Sequence, residues 1–137
     1  MDWFAPIDAY CERLGPGLWA EPLNALSNAA FFIAALWAAR AAARKGVEPI
    51  IWMLIGLVFV IGLGSLAFHT FANRWSELAD VLPITLFIYS YLTFALLRFL
   101  KLSWWLVALS LAVLFLVTLG SAYVLPPGFM NGSGELT

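Results

Sequence analysis

Three polar side chains stand at the ends of two very apolar segments, where their types and spacing could support catalysis or metal binding. They are Ser65, His69 and Asp80, and His69 is the only histidine in the chain. Ser65 and His69 lie four residues apart, so they share one face of a helix. A short loop after His69 would return Asp80 to the same depth on the next helix. Because an ionisable group in a membrane span is costly, the pattern predicts a functional site with partnered groups.

His69 and Asp80 each admit a functional and a structural interpretation. An imidazole beside a carboxylate can serve as a metal ligand or a general base, with the carboxylate orienting it or activating a water. The alternative is an interfacial histidine that is hydrogen-bonded to Asp80. Asp80 could also favour the dipole of a helix whose predicted N-cap is Ser76, although it lies deeper than a capping residue. The glycines around Ser65 favour close helix packing.

The composition is that of an integral-membrane protein. The chain has 137 residues, of which 64% are hydrophobic and 11% are charged, and its mean hydropathy is +0.93. Such a composition, arranged in long apolar stretches, indicates transmembrane helices rather than a soluble domain. The net charge of −1 gives no reason to expect a nucleic-acid partner.

Four apolar spans must position the polar residues, and each is close to the roughly 20 residues that cross the hydrocarbon core. We predict these spans at about 22–43, 50–70, 78–100 and 102–125. The expected fold class is therefore all-α, an integral-membrane bundle of four transmembrane helices. Residues 1–21 form an acidic surface segment, 22–125 the transmembrane domain and 126–137 a polar tail.

The basic residues predict the orientation of the chain in the bilayer. Two loops, between the first two spans and between the last two, carry Arg40, Arg44, Lys45, Arg98 and Lys101. The positive-inside rule places both loops in the cytoplasm and the N-terminus on the non-cytoplasmic side. His69, Asp80 and the acidic N-terminal segment would then all lie at the outer face.

The N-terminal segment carries several oxygen ligands. The carboxylates of Asp8, Glu12 and Glu21 stand on an irregular stretch with exposed backbone carbonyls. This combination suits calcium, which takes six to eight oxygens in flexible geometry. The alternative is surface charge, with Asn24 and Ser27 forming hydrogen bonds between helices.

The chain also carries three separated motifs. They are Tyr10-Cys11-Glu12, then Ala20-Glu21 followed by Asn24 and Ser27-Asn28, and finally Gly64-Ser65 with His69, Asp80 and Pro83. In this order and spacing they resemble the alkaline ceramidase family, within the CREST superfamily of seven-helix membrane hydrolases. The resemblance extends over residues 8–83, which would be the first part of the seven-helix fold.

This resemblance implies a zinc-dependent amide hydrolase that acts on ceramide-type lipids and is stabilised by a nearby calcium ion. His69 would be a zinc ligand, and Asp80 would hold and deprotonate the zinc-bound water. Ser65 would stabilise the developing oxyanion or position the metal. The calcium ligands would be Glu12, Glu21, Tyr10 through its backbone carbonyl, and Asp8 in place of the family aspartate at Ala9.

The chain departs from the family at the zinc site. The family completes this site with two histidines in a late His-x-x-x-His pattern, whereas this chain has no second histidine. Catalytic zinc normally takes three protein ligands. Three explanations are open. The chain would be the N-terminal four-helix part of a longer enzyme, and its polar ending favours this explanation. Otherwise it would be a shortened relative without catalysis, or a homo-oligomer in which another copy supplies the missing ligands.

The sequence is therefore interpreted as the N-terminal part of a ceramidase-like membrane hydrolase that cleaves a lipid amide. The alternative is a non-catalytic four-helix membrane protein, acting as a binding module or an assembly subunit. A haem-binding helical bundle is a further possibility, although one histidine would require a dimer or another axial ligand.

Overall fold

The computed structural model describes residues 2–7, 13 and 21–124. The helices are α1 (Pro22–Ser27), α2 (Ala29–Lys45), α3 (Pro49–Phe71), α4 (Arg74–Arg98) and α5 (Trp104–Val124). Four stretches of the described residues are long and apolar enough to cross a membrane: Pro22–Lys45, Pro49–Phe71, Arg74–Arg98 and Trp104–Ser121. The prediction of an all-α protein with four transmembrane helices is confirmed.

The first span is interrupted at a single residue, Asn28, which ends α1 and precedes α2. Pro22 occupies the first turn of α1, where its missing N–H leaves no hydrogen bond unmade. The side-chain amide of Asn28 donates to the carbonyl of Asn24 at 3.1 Å, and the hydroxyl of Ser27 donates to the same carbonyl at 2.7 Å. The side chain of Ser27, for which the alternative interpretation was a bond between helices, therefore bonds within the first span.

The helices α2 and α3 pack along each other, and Gly62 allows their close approach. A Cβ atom on Gly62 would lie 2.9 Å from Cβ of Phe31 and 3.2 Å from the ring of Phe32. The ring of Phe32 also meets that of Phe59 edge-on, with centroids 5.2 Å apart. A small residue at a helix interface permits this approach in a membrane.

The turn between α3 and α4 is short and is paired with the N-terminal segment. Ala72 ends α3 in the left-handed conformation, with φ 42°, and its N–H donates to the carbonyl of Phe68 at 2.8 Å. The N–H of Ile7 donates to the carbonyl of Ala72 at 2.8 Å, and the N–H of Trp75 donates to the carbonyl of Trp3 at 3.2 Å. Residues 2–7 therefore lie against this turn.

The start of α4 differs from the prediction. The helix begins at Arg74, and Ser76 lies inside its first turn rather than before it. Oδ1 of Asn73 accepts from the N–H of Ser76 at 3.2 Å, and Oγ of Ser76 accepts from the N–H of Asn73 at 3.0 Å. The prediction of Ser76 as N-cap is wrong because Asn73 caps the helix, while Ser76 returns a reciprocal bond from the third helical position.

The chain divides into two compact units, Met1–Ile88 and Tyr89–Thr137. The first unit contains α1, α2, α3 and the first part of α4. The second contains the end of α4, a connection in which Lys101 adopts a left-handed φ of 52°, and α5. The predicted site residues that the structure describes all belong to the first unit.

Candidate active site

His69 lies in the last turn of α3, and burial together with a short hydrogen bond fixes its ring. Its side chain is buried, with 8% of the residue exposed. Its Nδ1 lies 2.6 Å from Oε2 of Glu21, the residue that precedes α1. This contact ties the start of the first span to the end of the second.

Glu21 is almost fully buried, at 1% exposure, and both of its carboxylate oxygens are engaged. Oε1 accepts from Nη1 of Arg13 at 3.0 Å, while Oε2 meets His69 and also accepts from Nδ2 of Asn24 at 3.4 Å. A buried charge requires a partner, and Arg13 supplies it. Because an ionised carboxylate only accepts hydrogen bonds, the hydrogen shared with His69 is assigned to Nδ1 of the ring.

Asp80 lies in α4 and interacts with two residues of α3. Both Asp80 and Ser65 are buried, each at 9% exposure. Asp80 is close enough to Ser65 for a side-chain hydrogen bond and close enough to His69 for an electrostatic interaction. Its Oδ1, however, is buried with no hydrogen-bond partner among the described residues. Buried polar atoms are nearly always satisfied, so this acceptor is suited to a group that the described residues do not provide.

Gly64 and Pro83 bring α3 and α4 together beside the site. A Cβ atom on Gly64 would overlap the carbonyl oxygen of Ala79 and lie 3.0 Å from Cα of Asp80. Pro83 lies inside α4 and has no N–H, so the carbonyl of Ala79 lacks its usual helical donor four residues later. Gly64 leaves room for this carbonyl, and Asp80 is thereby held against α3 beside Ser65.

The structure brings four of the predicted site residues into one cluster: Ser65, His69, Asp80 and Glu21. His69 and Asp80 are both buried, and they lie close enough to interact electrostatically. Asp8, Tyr10 and Glu12 lie outside the described residues. The catalytic and metal-binding roles of the seven residues stay predictions.

Arg13 belongs to this cluster, although no motif in the sequence predicted it. Its side chain is 10% exposed. Neither helical nor strand periodicity relates it to Glu21, eight residues later, across an irregular stretch. The one available signal was compositional, since Arg13 is the only basic residue in the first 21 and stands among four acids.

The described residues fit one part of a zinc site. His69 and Asp80 are donor types that zinc accepts, and the described part of the chain gives Oδ1 of Asp80 no hydrogen-bond partner. The number of donors falls short, because the described residues contain no group of three or more His, Cys, Asp or Glu side chains that could hold a metal. A catalytic zinc takes three protein ligands, so this cluster would need a contribution from elsewhere.

Glu21 is the one predicted calcium ligand that the structure describes, and its surroundings do not suit calcium. A guanidinium nitrogen lies 3.0 Å from Oε1, and an imidazole nitrogen lies 2.6 Å from Oε2. A calcium ion needs oxygen ligands whose lone pairs are available, six to eight in number. The described residues around Glu21 offer donors instead.

The fold and the cluster together define a class: a multi-pass helical membrane protein with a buried imidazole, carboxylate and hydroxyl where two spans meet. The family model described as Ceramidase matches residues 10–131 of the chain. The chain therefore belongs to the ceramidase family, whose members are membrane hydrolases with lipid substrates. No curated protein and no solved structure matches it.

Proposed function

We propose that this protein hydrolyses the amide bond of ceramide-type lipids at the cluster of Ser65, His69 and Asp80. The observation that carries the proposal concerns Oδ1 of Asp80, which is buried near His69 and has no hydrogen-bond partner among the residues that the structure describes. A hydrolase needs a carboxylate or imidazole that can accept a proton from water, held where bulk water does not already satisfy it. Membership of the ceramidase family supplies the reaction class.

Asp80 is the proton acceptor in this proposal. Its Oδ1 accepts a hydrogen bond from the attacking water and takes the proton as the water adds to the amide carbon. The same carboxyl group then returns the proton to the departing amine. Ser65, within hydrogen-bonding reach of Asp80, orients the carboxyl group or donates to the developing oxyanion.

His69 is the metal-binding residue in this proposal. Because its Nδ1 is assigned as a donor to Glu21, the lone pair of the ring lies on Nε2. A carboxylate on the second ring nitrogen is the usual support of a metal-bound histidine, since it fixes the ring and raises its basicity. Zinc, when bound, would make water more acidic and polarise the amide carbonyl.

The surroundings of the cluster suit a substrate that resides in the bilayer. Large apolar side chains near it on α3 and α4 are exposed, among them Leu66, Phe71, Leu78 and Val81. Such side chains contact lipid in a membrane protein, so a lipid could approach laterally between helices. The basic loops favour the outer boundary of the membrane for the site, with the N-terminus on the non-cytoplasmic side.

Fatty-acid release from ceramide in mixed micelles tests this function, with the purified full chain saturated with zinc. Asp80→Asn and His69→Gln should each lower the rate at least roughly a hundredfold, the usual contribution of a general base. Glu77→Gln is the matched control, because it removes an exposed acid from the same helix and should leave the rate unchanged.

Two outcomes would count against the proposal. Full activity in Asp80→Asn would remove Asp80 from the reaction. No release by the wild-type chain, together with no bound zinc by elemental analysis, would favour the non-catalytic membrane protein instead.

A further inference from the structure

Arg13, Glu21 and His69 form a continuous line of buried polar groups. Nη1 of Arg13 lies 3.0 Å from Oε1 of Glu21, and Oε2 of Glu21 lies 2.6 Å from Nδ1 of His69. The exposed fractions of the three side chains are 10%, 1% and 10%. At this burial the charge of Glu21 must be balanced within the protein, and Arg13 is the cation that touches it.

We propose that Arg13 balances the buried charge of Glu21, so that Glu21 positions His69 without a calcium ion. Glu21 and Arg13 are then positioning residues: they act on the reaction through the orientation of the His69 ring. The inference concerns the same site as the proposed hydrolysis and rests on it only for the catalytic consequence. The arrangement of the three side chains can be tested on the protein without turnover.

The position of Arg13 excludes a calcium ion bound to the same carboxylate in this arrangement. A cation on Oε1 would lie within a few ångströms of the guanidinium, and two like charges at that separation repel strongly when water is excluded. Calcium would also have to displace the donors from His69 and Asn24 on Oε2. An arginine achieves the charge balance with directed N–H groups, which suit a planar carboxylate.

The charge balance determines which way the His69 ring is held. With Arg13 on Oε1, Glu21 remains an ionised acceptor, and Nδ1 of His69 donates to Oε2. Without Arg13, the buried carboxylate would be uncompensated. It would then recruit a metal ion or move toward water, and either change would weaken its hold on the ring.

Thermal unfolding in detergent micelles tests the calcium independence. The wild-type chain should melt at the same temperature in excess EGTA and in millimolar calcium. Arg13→Gln should lower the melting temperature by roughly 5 °C or more, and calcium should restore part of that loss. Arg44→Gln is the matched control, because it removes an exposed arginine at the end of α2 and should show neither effect.

Nitrogen NMR with ¹⁵N-labelled histidine tests the positioning role, and the single histidine makes the spectrum that of His69 alone. The zinc-free wild-type chain should show a protonated Nδ1 and an unprotonated Nε2. The spectrum should be the same in EGTA and in calcium. Glu21→Gln and Arg13→Gln should shift both ring signals toward a mixture of tautomers. Arg13→Lys should return them toward wild type, because it retains the charge.

Three results would overturn the inference. The first is a wild-type melting temperature that rises with calcium as much as that of Arg13→Gln. The second is a His69 spectrum that Arg13→Gln leaves unchanged. The third is a wild-type spectrum with the proton on Nε2. If Arg13→Gln does not fold, the inference is still tested by the wild-type melting temperatures, the wild-type spectrum and the spectrum of Arg13→Lys. A failure of ceramide hydrolysis would leave all of these readings unaffected.

Discussion

The backbone of Ala79 in α4 lies directly against Gly64 in α3, with no room for a side chain between them. A Cβ atom on Gly64 would overlap the carbonyl oxygen of Ala79 and lie 2.7 Å from its carbonyl carbon. The carbonyl is available for this contact because Pro83 cannot donate to it. Asp80 follows Ala79 and Ser65 follows Gly64, so the same contact sets the distance between two groups of the site.

Gly64→Ala should destabilise the protein. The added methyl group meets backbone rather than a movable side chain, so α4 must shift, at a cost of about 1–3 kcal/mol. Gly56→Ala is the control within the same helix, because a Cβ there meets nothing within 4 Å. That control should be neutral or slightly stabilising, since alanine favours the helix over glycine by about 1 kcal/mol. Melting temperatures of both variants in detergent check the prediction, and equal values would contradict it.

Pro83→Ala should weaken the dependence on glycine at position 64. Restoring the N–H lets residue 83 donate to Ala79 and draws the carbonyl back into α4. The penalty of Gly64→Ala should therefore be smaller in the Pro83→Ala background, with a coupling free energy of about 0.5–3 kcal/mol in a double-mutant cycle. Additive penalties would mean that Pro83 does not control the approach of the two helices.

Asp80→Asn should stabilise the protein while removing its hydrolytic activity. Oδ1 of Asp80 is a buried acceptor that no described residue satisfies, and a buried charge costs more than a neutral amide of the same shape. A gain of about 1 kcal/mol in the free energy of unfolding is expected, as for other sites that hold strained functional groups. Thermal unfolding of the metal-free protein checks this, with Glu77→Gln as the neutral control. A loss of stability would indicate that Asp80 is a structural residue.

The sequence was sufficient for the four spans and for placing His69 and Asp80 near the facing ends of two consecutive helices. Each span is a long apolar run with a proline, glycine or charged boundary. Ser65 and His69 are four residues apart, and this separation places them on one face of the same helix. The short connection from His69 to Asp80 then leaves little freedom for the second helix. These constraints act between residues that are near each other in the chain, and such constraints can be predicted from sequence patterns.

The link from Arg13 through Glu21 to His69 was not predictable in the same way. Glu21 and His69 are 48 residues apart, and no periodic element connects them. Glu21 was interpreted as a calcium ligand because its type and its motif allowed that role. Which cation balances a buried carboxylate depends on the tertiary arrangement, and residue types alone do not specify it.

The reciprocal hydrogen bonds between Asn73 and Ser76 lead to the last prediction, which concerns the start of α4. Ser76 is fully buried, at 0% exposure, and its hydroxyl also donates to Asn73 at 2.9 Å. Asn73→Ala should cost about 1 kcal/mol, the usual price of a lost N-cap, whereas Asn73→Asp retains an acceptor and should cost little.

Ser76→Ala should cost a similar amount, because it leaves the N–H of Asn73 without its acceptor. The double variant should cost less than the sum of the two, since either single change already removes the bond from Oγ of Ser76 to Oδ1 of Asn73 at 3.0 Å. Chemical unfolding of the four proteins in the cycle measures this coupling. Strict additivity would show that the side chains of Asn73 and Ser76 stabilise the first turn of α4 independently of each other.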